Sequence, residues 1–294
     1  MERRDFIKSL LLSGLAVKLA PELFSQTSLP ELSVIEGESP GDIAREALKA
    51  LGGIKRFIGH GDKVLIKPNI GWDRTPEMAA CTNPEVVKAL VEMAYEAGAK
   101  EVIVMDHTIN QPKRCYIRSG IQAAARQAGA KVLFAEEQRL KKVSLKGEWL
   151  KEWEVFQDFL EVDKIINVPA AKVHSLSRVT LGMKNWLGAI GGSRNQLHQK
   201  IDQAIVDLAA FFKPSITVLD GYRILFRNGP QGGRISDTKL MKTVVAGTDP
   251  VAVDAYGATF FDYKPQELLF LKLAQERGLG KFELEKVKIE KRKI

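Results

Sequence analysis

The order in which short apolar runs and amphipathic runs follow one another is what most constrains this chain. "DKVLIKP", "KEVIVMD", "AKVLFA", "DKIINVP", "PSITVLD" and "KTVVAGTD" are brief, mostly Val/Ile-rich stretches that end at a turn. Between the first three lie "TNPEVVKALVEMAYEAG" and "CYIRSGIQAAARQAG", each stopped by a glycine. In the former, Thr82 or Asn83 suits a helix cap, Pro84 sits in the first turn and Gly98 falls past the end. Strands this short and this apolar are covered on both faces, which is the habit of parallel sheets wrapped by helices. The expectation is an α/β fold: a mainly parallel open sheet with helices on both faces. Residues 136–163 break the rhythm. There "KKVSLKGEWLKEWEVFQDFLEVD" alternates charged and apolar residues and predicts a small β insert.

Beyond the insert, "QLHQKIDQAIVDLAAFF", "PVAVDAYGATFF" and "KPQELLFLKLAQERG" read as helices, and "EKVKIEK" as a last strand. At the other end, "SVIEG" reads as a strand, followed by a Pro-Gly turn and a helix from about Asp42. Residues 29–294 are expected to form a single α/β domain. With 45% hydrophobic and 27% charged residues, the chain can bury a sizeable core.

Residues 1–28 stand apart. "ERRDFIKSLLLSGLAVKLAPELFSQ" resembles a twin-arginine export signal, with Arg3, Arg4, Phe6, Ile7 and Lys8 in the R-R-x-F-[LI]-K positions. The resemblance implies the twin-arginine export machinery as a partner and a periplasmic location, free or membrane-anchored. An amphipathic first helix is the alternative. No internal segment reaches the roughly 18 apolar residues of a membrane span.

Charge and cysteine usage narrow the function classes. The formal charge of +8 is spread along the chain, and the one dense basic run, "KVKIEKRKI", reads as a surface strand. No nucleic-acid-binding motif accompanies it, so no nucleic acid is expected as a partner. Cys81 and Cys115 form no C-x-x-C motif, which argues against a cluster or structural zinc held by this chain alone. A disulfide between them and two separate thiols both remain open. The four histidines lie singly, so no metal site is assigned, and the sequence identifies no cofactor.

Ligands of open parallel sheets bind outside the carboxyl ends of the strands. There this chain places Lys67, Pro68 and Asn69; Asp106 and His107; Lys172 and His174; Asp220; and Asp249. Any one of these could cap the next helix, but five sets on one sheet edge predict a polar cleft.

Residues 178–192, "RVTLGMKNWLGAIGG", supply the other half of that cleft. As a helix they would carry Val179, Met183, Trp186, Leu187 and Ile190 on one face, and Leu181, Lys184, Asn185, Gly188 and Gly192 on the other. The second face joins an ammonium and a carboxamide to glycines that let a ligand approach. With Lys172, His174 and Arg178 it makes a basic cluster interleaved with apolar residues. A lysine packed in that way is either an anion clamp or, with its proton lost more readily, a base or Schiff-base amine.

Asp254 sits on "PVAVDAYGATFF", which is apolar all round, so its carboxylate needs a partner. A buried ion pair, a backbone cap and a ligand contact are all open readings. "RNGPQGGR" reads as a surface loop or as a lid carrying Arg227 and Arg234, and Trp72, Asp73 and Arg74 precede a helix N-terminus suited to an anion.

"VLIKPNIG", "CTNPEVVKALVEMAYEAGAKEVIVMDH", "NVPAAKVHSLSRVTLGMKNWLGAI" and "VVAGTDPVAVDAYGATFF" together resemble the hallmark segments of the domain-of-unknown-function 362 family. The resemblance covers roughly residues 60–262. Its hallmark positions fall on Lys67, Pro68, Asn69, Lys172, His174, Lys184, Asn185, Asp249 and Asp254. Ala170 and Ala171 depart from it, standing where a lysine often precedes Lys172. Some members carry ferredoxin-like cysteine motifs, implying a redox partner protein. A fainter likeness, at the level of fold, is to lactate racemases.

The function expected from all this is an exported enzyme acting on a small carboxylate- or phosphate-bearing ligand. Lys184, His174 and Lys172 are the expected catalytic groups. Lys67, Asn69, Asn185, Asp249, Asp254 and Arg178 are expected to bind the ligand. Redox chemistry with a cofactor and isomerisation are the reaction classes in view. The alternative is a non-catalytic periplasmic binding or accessory protein using the same pocket.

Overall fold

The computed structural model of the protein describes residues 29–294; the twin-arginine motif lies outside the described residues. Five strands run parallel in the spatial order β4 (Lys131–Phe134), β3 (Glu101–Asp106), β2 (Lys63–Pro68), β7 (Lys164–Val168) and β10 (Ile216–Leu225). Then follow β11 (Thr238–Gly247), antiparallel to both its neighbours, β1 (Leu32–Glu36), and β12 (Ile289–Lys293) at the edge. The fold is the expected mainly parallel α/β sheet.

Alternation within the strands builds two cores. Val64, Ile66, Val102 and Val104 pack on one face, against α1 (Pro40–Ala50), α2 (Pro84–Glu96) and α4 (Ile121–Gln127). Leu65, Ile103 and Met105, one residue out of phase, face the opposite core with α5 (Ile201–Phe211), α6 (Pro250–Thr259) and α7 (Leu269–Glu276). Asn83 is the cap of α2, its side chain accepting from the Glu85 amide at 2.9 Å. The helix expected over "CYIRSGIQAAARQAG" is broken into α3 (Pro112–Arg118) and α4 at Gly120, whose φ of 74° interrupts helical geometry. The basic tail is β12, paired in parallel with β1.

The insert is a separate two-stranded antiparallel sheet, β5 (Leu140–Ser144) and β6 (Glu152–Phe156). Its turn is tied to α5 by Asp207, which is fully buried and accepts from the amides of Glu148, Trp149 and Leu150.

Two expectations are corrected. First, β11 runs against β10, so its carboxyl end, and Asp249 after it, lie at the opposite edge of the sheet from Lys67 and Asp106. Second, residues 178–192 are not one helix. β8 (Ala170–His174) continues past the end of β7 and turns back into β9 (Arg178–Thr180), and a short 3-10 helix spans Lys184–Ala189. Glycines at 182, 188, 191 and 192 weaken α-helical propensity there. The buried Asp254 carboxylate also takes the Gly182 and Met183 amides, at 2.6 and 2.9 Å.

Candidate functional site

A cavity of about 660 Å³ opens at the carboxyl ends of β2 and β3, bounded by the β8–β9 hairpin and the Lys184–Ala189 turn. Lys67 and Asp106 meet on its wall at 2.5 Å, both almost wholly buried. Asp106 uses its second oxygen on the Ile70 amide, at 2.6 Å. A β-carbon on Gly188 would lie 1.9 Å from Asp106 Oδ1 and 2.7 Å from Lys67 Nζ, so that glycine makes room for an ion pair. Burial lowers the proton affinity of Lys67 and the Asp106 charge opposes the fall.

A chain of carboxamides leads from the sheet to the second lysine. Asn185 donates to Asn167 Oδ1 at 2.8 Å and accepts from Asn69 Nδ2 at 3.0 Å. Asn69 Oδ1 in turn accepts from Lys172 Nζ at 2.8 Å, and the Ala80 carbonyl accepts a second Lys172 N–H at 2.5 Å. These two bonds fix two of the three free positions on the Lys172 nitrogen. The third holds a proton or a lone pair. Burial pulls the Lys172 amine down to about 8.

Lys184 stands at the same hairpin. Its Nζ donates to Ser177 Oγ at 2.6 Å, and the Ser177 hydroxyl donates to the Val179 carbonyl at 2.9 Å. Burial, and then the charge of Lys172, hold Lys184 well below the ordinary lysine value. His174 Nδ1 accepts from the Leu176 amide at 3.1 Å, leaving Nε2 to carry the proton of the neutral ring. Its ring stacks on His198 with centroids 6.1 Å apart. Burial and then Lys184 push His174 down to about 3, so it serves as a hydrogen-bond donor and not as a base near neutrality.

Arg194 and His198 line the cavity and are absent from the sequence-based set. Arg194 donates to the carbonyls of His107, Leu187 and Thr108, joining three loops. His107 bonds Ile190 O through Nδ1 at 2.8 Å, and its proton affinity is lowered by burial and then by Arg194. A sequence signal existed: Arg194 and His198 are four residues apart, directly after "GGS".

Of the expected site residues, Lys67, Asn69, Lys172, His174, Lys184 and Asn185 come together in the cavity wall, with Asp106 and His107. Arg178, Asp249 and Asp254 do not. Arg178 is exposed, over the Tyr263 ring and near the Glu267 carbonyl. Asp249 caps α6 through the Val251 and Ala252 amides. Asp254, pushed up to about 7 by burial, braces the Gly182–Met183 backbone from behind. Asp220 takes the Asn83 amide at the start of α2, the place expected for an external anion. Arg227 and Arg234 do not line the cavity, although Pro230 from the same loop does. Asp73 pairs with Arg114, while Trp72 reaches the cavity wall. Cys81 and Cys115 are buried free thiols. Among the described residues, no three His, Cys, Asp or Glu side chains are grouped to hold a metal, and no helix is long and apolar enough to cross a membrane.

Residues 64–259 match the family described as domain of unknown function (DUF362), and the chain belongs to that family. It is 24% identical over 244 residues to the thylakoid-associated protein sll1697 of Synechocystis sp. (strain ATCC 27184 / PCC 6803 / Kazusa), covering 80% of this chain and 74% of that protein. Among solved structures it is similar to the lactate racemase apoprotein of Thermoanaerobacterium thermosaccharolyticum, with a TM-score of 0.49 and 10% identity. That likeness covers 77% of this chain and spans 56% of the racemase chain.

Proposed function

We propose that this member of the DUF362 family is an enzyme that binds a small carboxylate- or phosphate-bearing ligand in the Lys/His cavity and acts on it by proton transfer. One observation carries the reading. Lys172, Lys184 and Arg194 face the same cavity, and every hydrogen-bond acceptor they have among the described residues is neutral. Basic groups buried without a hydrogen-bonded carboxylate are costly to keep charged, and an entering anion removes that cost. His174 Nε2–H adds a neutral donor. Lys172, with one open position and a value of about 8, is the group suited to give and take a proton near neutrality. The twin-arginine-like motif at Arg3 and Arg4 supports export, with the pocket working in the periplasm.

Calorimetric titration with acetate, succinate and inorganic phosphate tests this. The wild type should bind at least one of the three. Lys172→Gln and Lys184→Gln should each weaken that binding roughly 10- to 100-fold, the worth of one charge-assisted hydrogen bond. Arg178→Gln should leave it unchanged. Silence from all three anions, or equal binding by the lysine variants, would contradict the reading.

A further inference from the structure

We propose that Lys184 is an imine-forming amine with Lys172 as its proton donor, so that the cavity takes small anions carrying an aldehyde or ketone beside the acid group. This rests on the anion-binding reading above and goes beyond it by naming a reactive group on the ligand.

The geometry separates the two lysines by what remains free on each nitrogen. Lys172 is held by Asn69 Oδ1 and Ala80 O, leaving one position. Among the described residues Lys184 is held only by Ser177 Oγ, whose proton is directed to Val179 O. A neutral Lys184 therefore keeps one N–H on Ser177 and has a lone pair free for attack. Among the described residues no carboxylate is hydrogen-bonded to either lysine, and Asp106 and Asp202 act on them only across space, so together they are best served by a single proton between them, and Lys172 has the two acceptors that suit an ammonium. Lys184 loses its proton more readily because it is buried beside that cation. His174 does not compete for the proton, since its Nδ1 is occupied by the Leu176 amide.

The step balances without an outside reactant. The Lys184 lone pair forms a C–N bond to the carbonyl carbon, and the C=O π pair moves onto oxygen. A proton shifts from nitrogen to that oxygen, giving a neutral carbinolamine. The C–O bond then breaks, and the hydroxyl leaves as water with the proton of Lys172. The product is a protonated imine on Lys184 and a neutral Lys172. The pair carries one positive charge before and after, so no charge is created in the buried wall.

Incubating the full chain with pyruvate and sodium cyanoborohydride, followed by peptide mapping, tests the inference. One carboxyethyl group should appear on Lys184 before any surface lysine is labelled, and excess propionate should suppress it. Lys184→Gln, which keeps an N–H donor for Ser177 but brings neither a nucleophile nor a charge, should lose the adduct while keeping the melting temperature within a few degrees of wild type. Lys172→Met should slow labelling of Lys184 roughly 100-fold, the usual scale of general acid catalysis. Labelling spread evenly over surface lysines, or centred on Lys172, would overturn the inference. If acetate, succinate or phosphate still bound by calorimetry in that case, the anion reading would stand alone; if none did, both would fall.

Discussion

Lys67 and Lys184 are both buried lysines on one cavity wall, yet their surroundings are opposite. Lys67 meets a carboxylate that is itself anchored by a backbone amide, and Gly188 is kept small so that the pair can close. Among the described residues Lys184 is hydrogen-bonded only to a hydroxyl, with the charge of Lys172 nearby. A matched buried pair is costly to break and inert while whole. An unmatched one leaves free energy to be recovered by a ligand. The contrast separates the residue that builds the wall from the residues that use it.

The largest effect expected from breaking this contrast is at the matched site. Lys67→Met strands Asp106 in the interior and should cost about 3–5 kcal/mol in denaturant unfolding. A loss below about 1 kcal/mol would show that Asp106 is solvated and the pair unimportant.

The next effect is a pH dependence at the unmatched site. Lys172 has a folded value of about 8 against an ordinary 10.5, so between those values the unfolded chain holds a proton that the folded chain has lost. Unfolding then takes up a proton, and stability contributed by this group rises with pH across that window, by about 3 kcal/mol at most. Lys172→Met should flatten the rise. An unchanged slope in the variant would contradict the assignment.

The smallest effect sharpens the comparison from the other side. Lys184→Met removes a buried amine without a counter-charge and should raise the stability of the ligand-free protein by about 1 kcal/mol, while weakening anion binding. Loss of stability on the scale of Lys67→Met would make Lys184 a structural residue instead.

Much of this was legible in the residues. Val/Ile-rich strands carry a period of two that survives any topology, so the sheet and its helical cover were readable from "DKVLIKP" and "KEVIVMD". The strand-end rule then placed Lys67, Asn69, Asp106, His107, Lys172 and His174 together. Strand direction leaves no mark on apolar alternation, so the antiparallel course of β11, which carries Asp249 to the far edge, was hidden. The spacing of Val179, Met183, Trp186 and Ile190 suits a helix, but a hairpin and a short turn bury the same side chains. Arg178 was lost to the site with that change, and Asp254 became the brace for the turn. Arg194 and His198 reach the cavity because their segment folds back over it, a tertiary event that their four-residue spacing after "GGS" hints at but does not place.

If Lys172, Lys184 and Arg194 await an anion, binding one must be linked to protons. Succinate and phosphate would be titrated calorimetrically on either side of pH 8, in buffers of different ionisation enthalpy. Proton uptake on binding should grow above about pH 8, where free Lys172 has lost its proton, and affinity should weaken there. Binding of equal strength on both sides with no proton exchanged, or no binding at all, would contradict it.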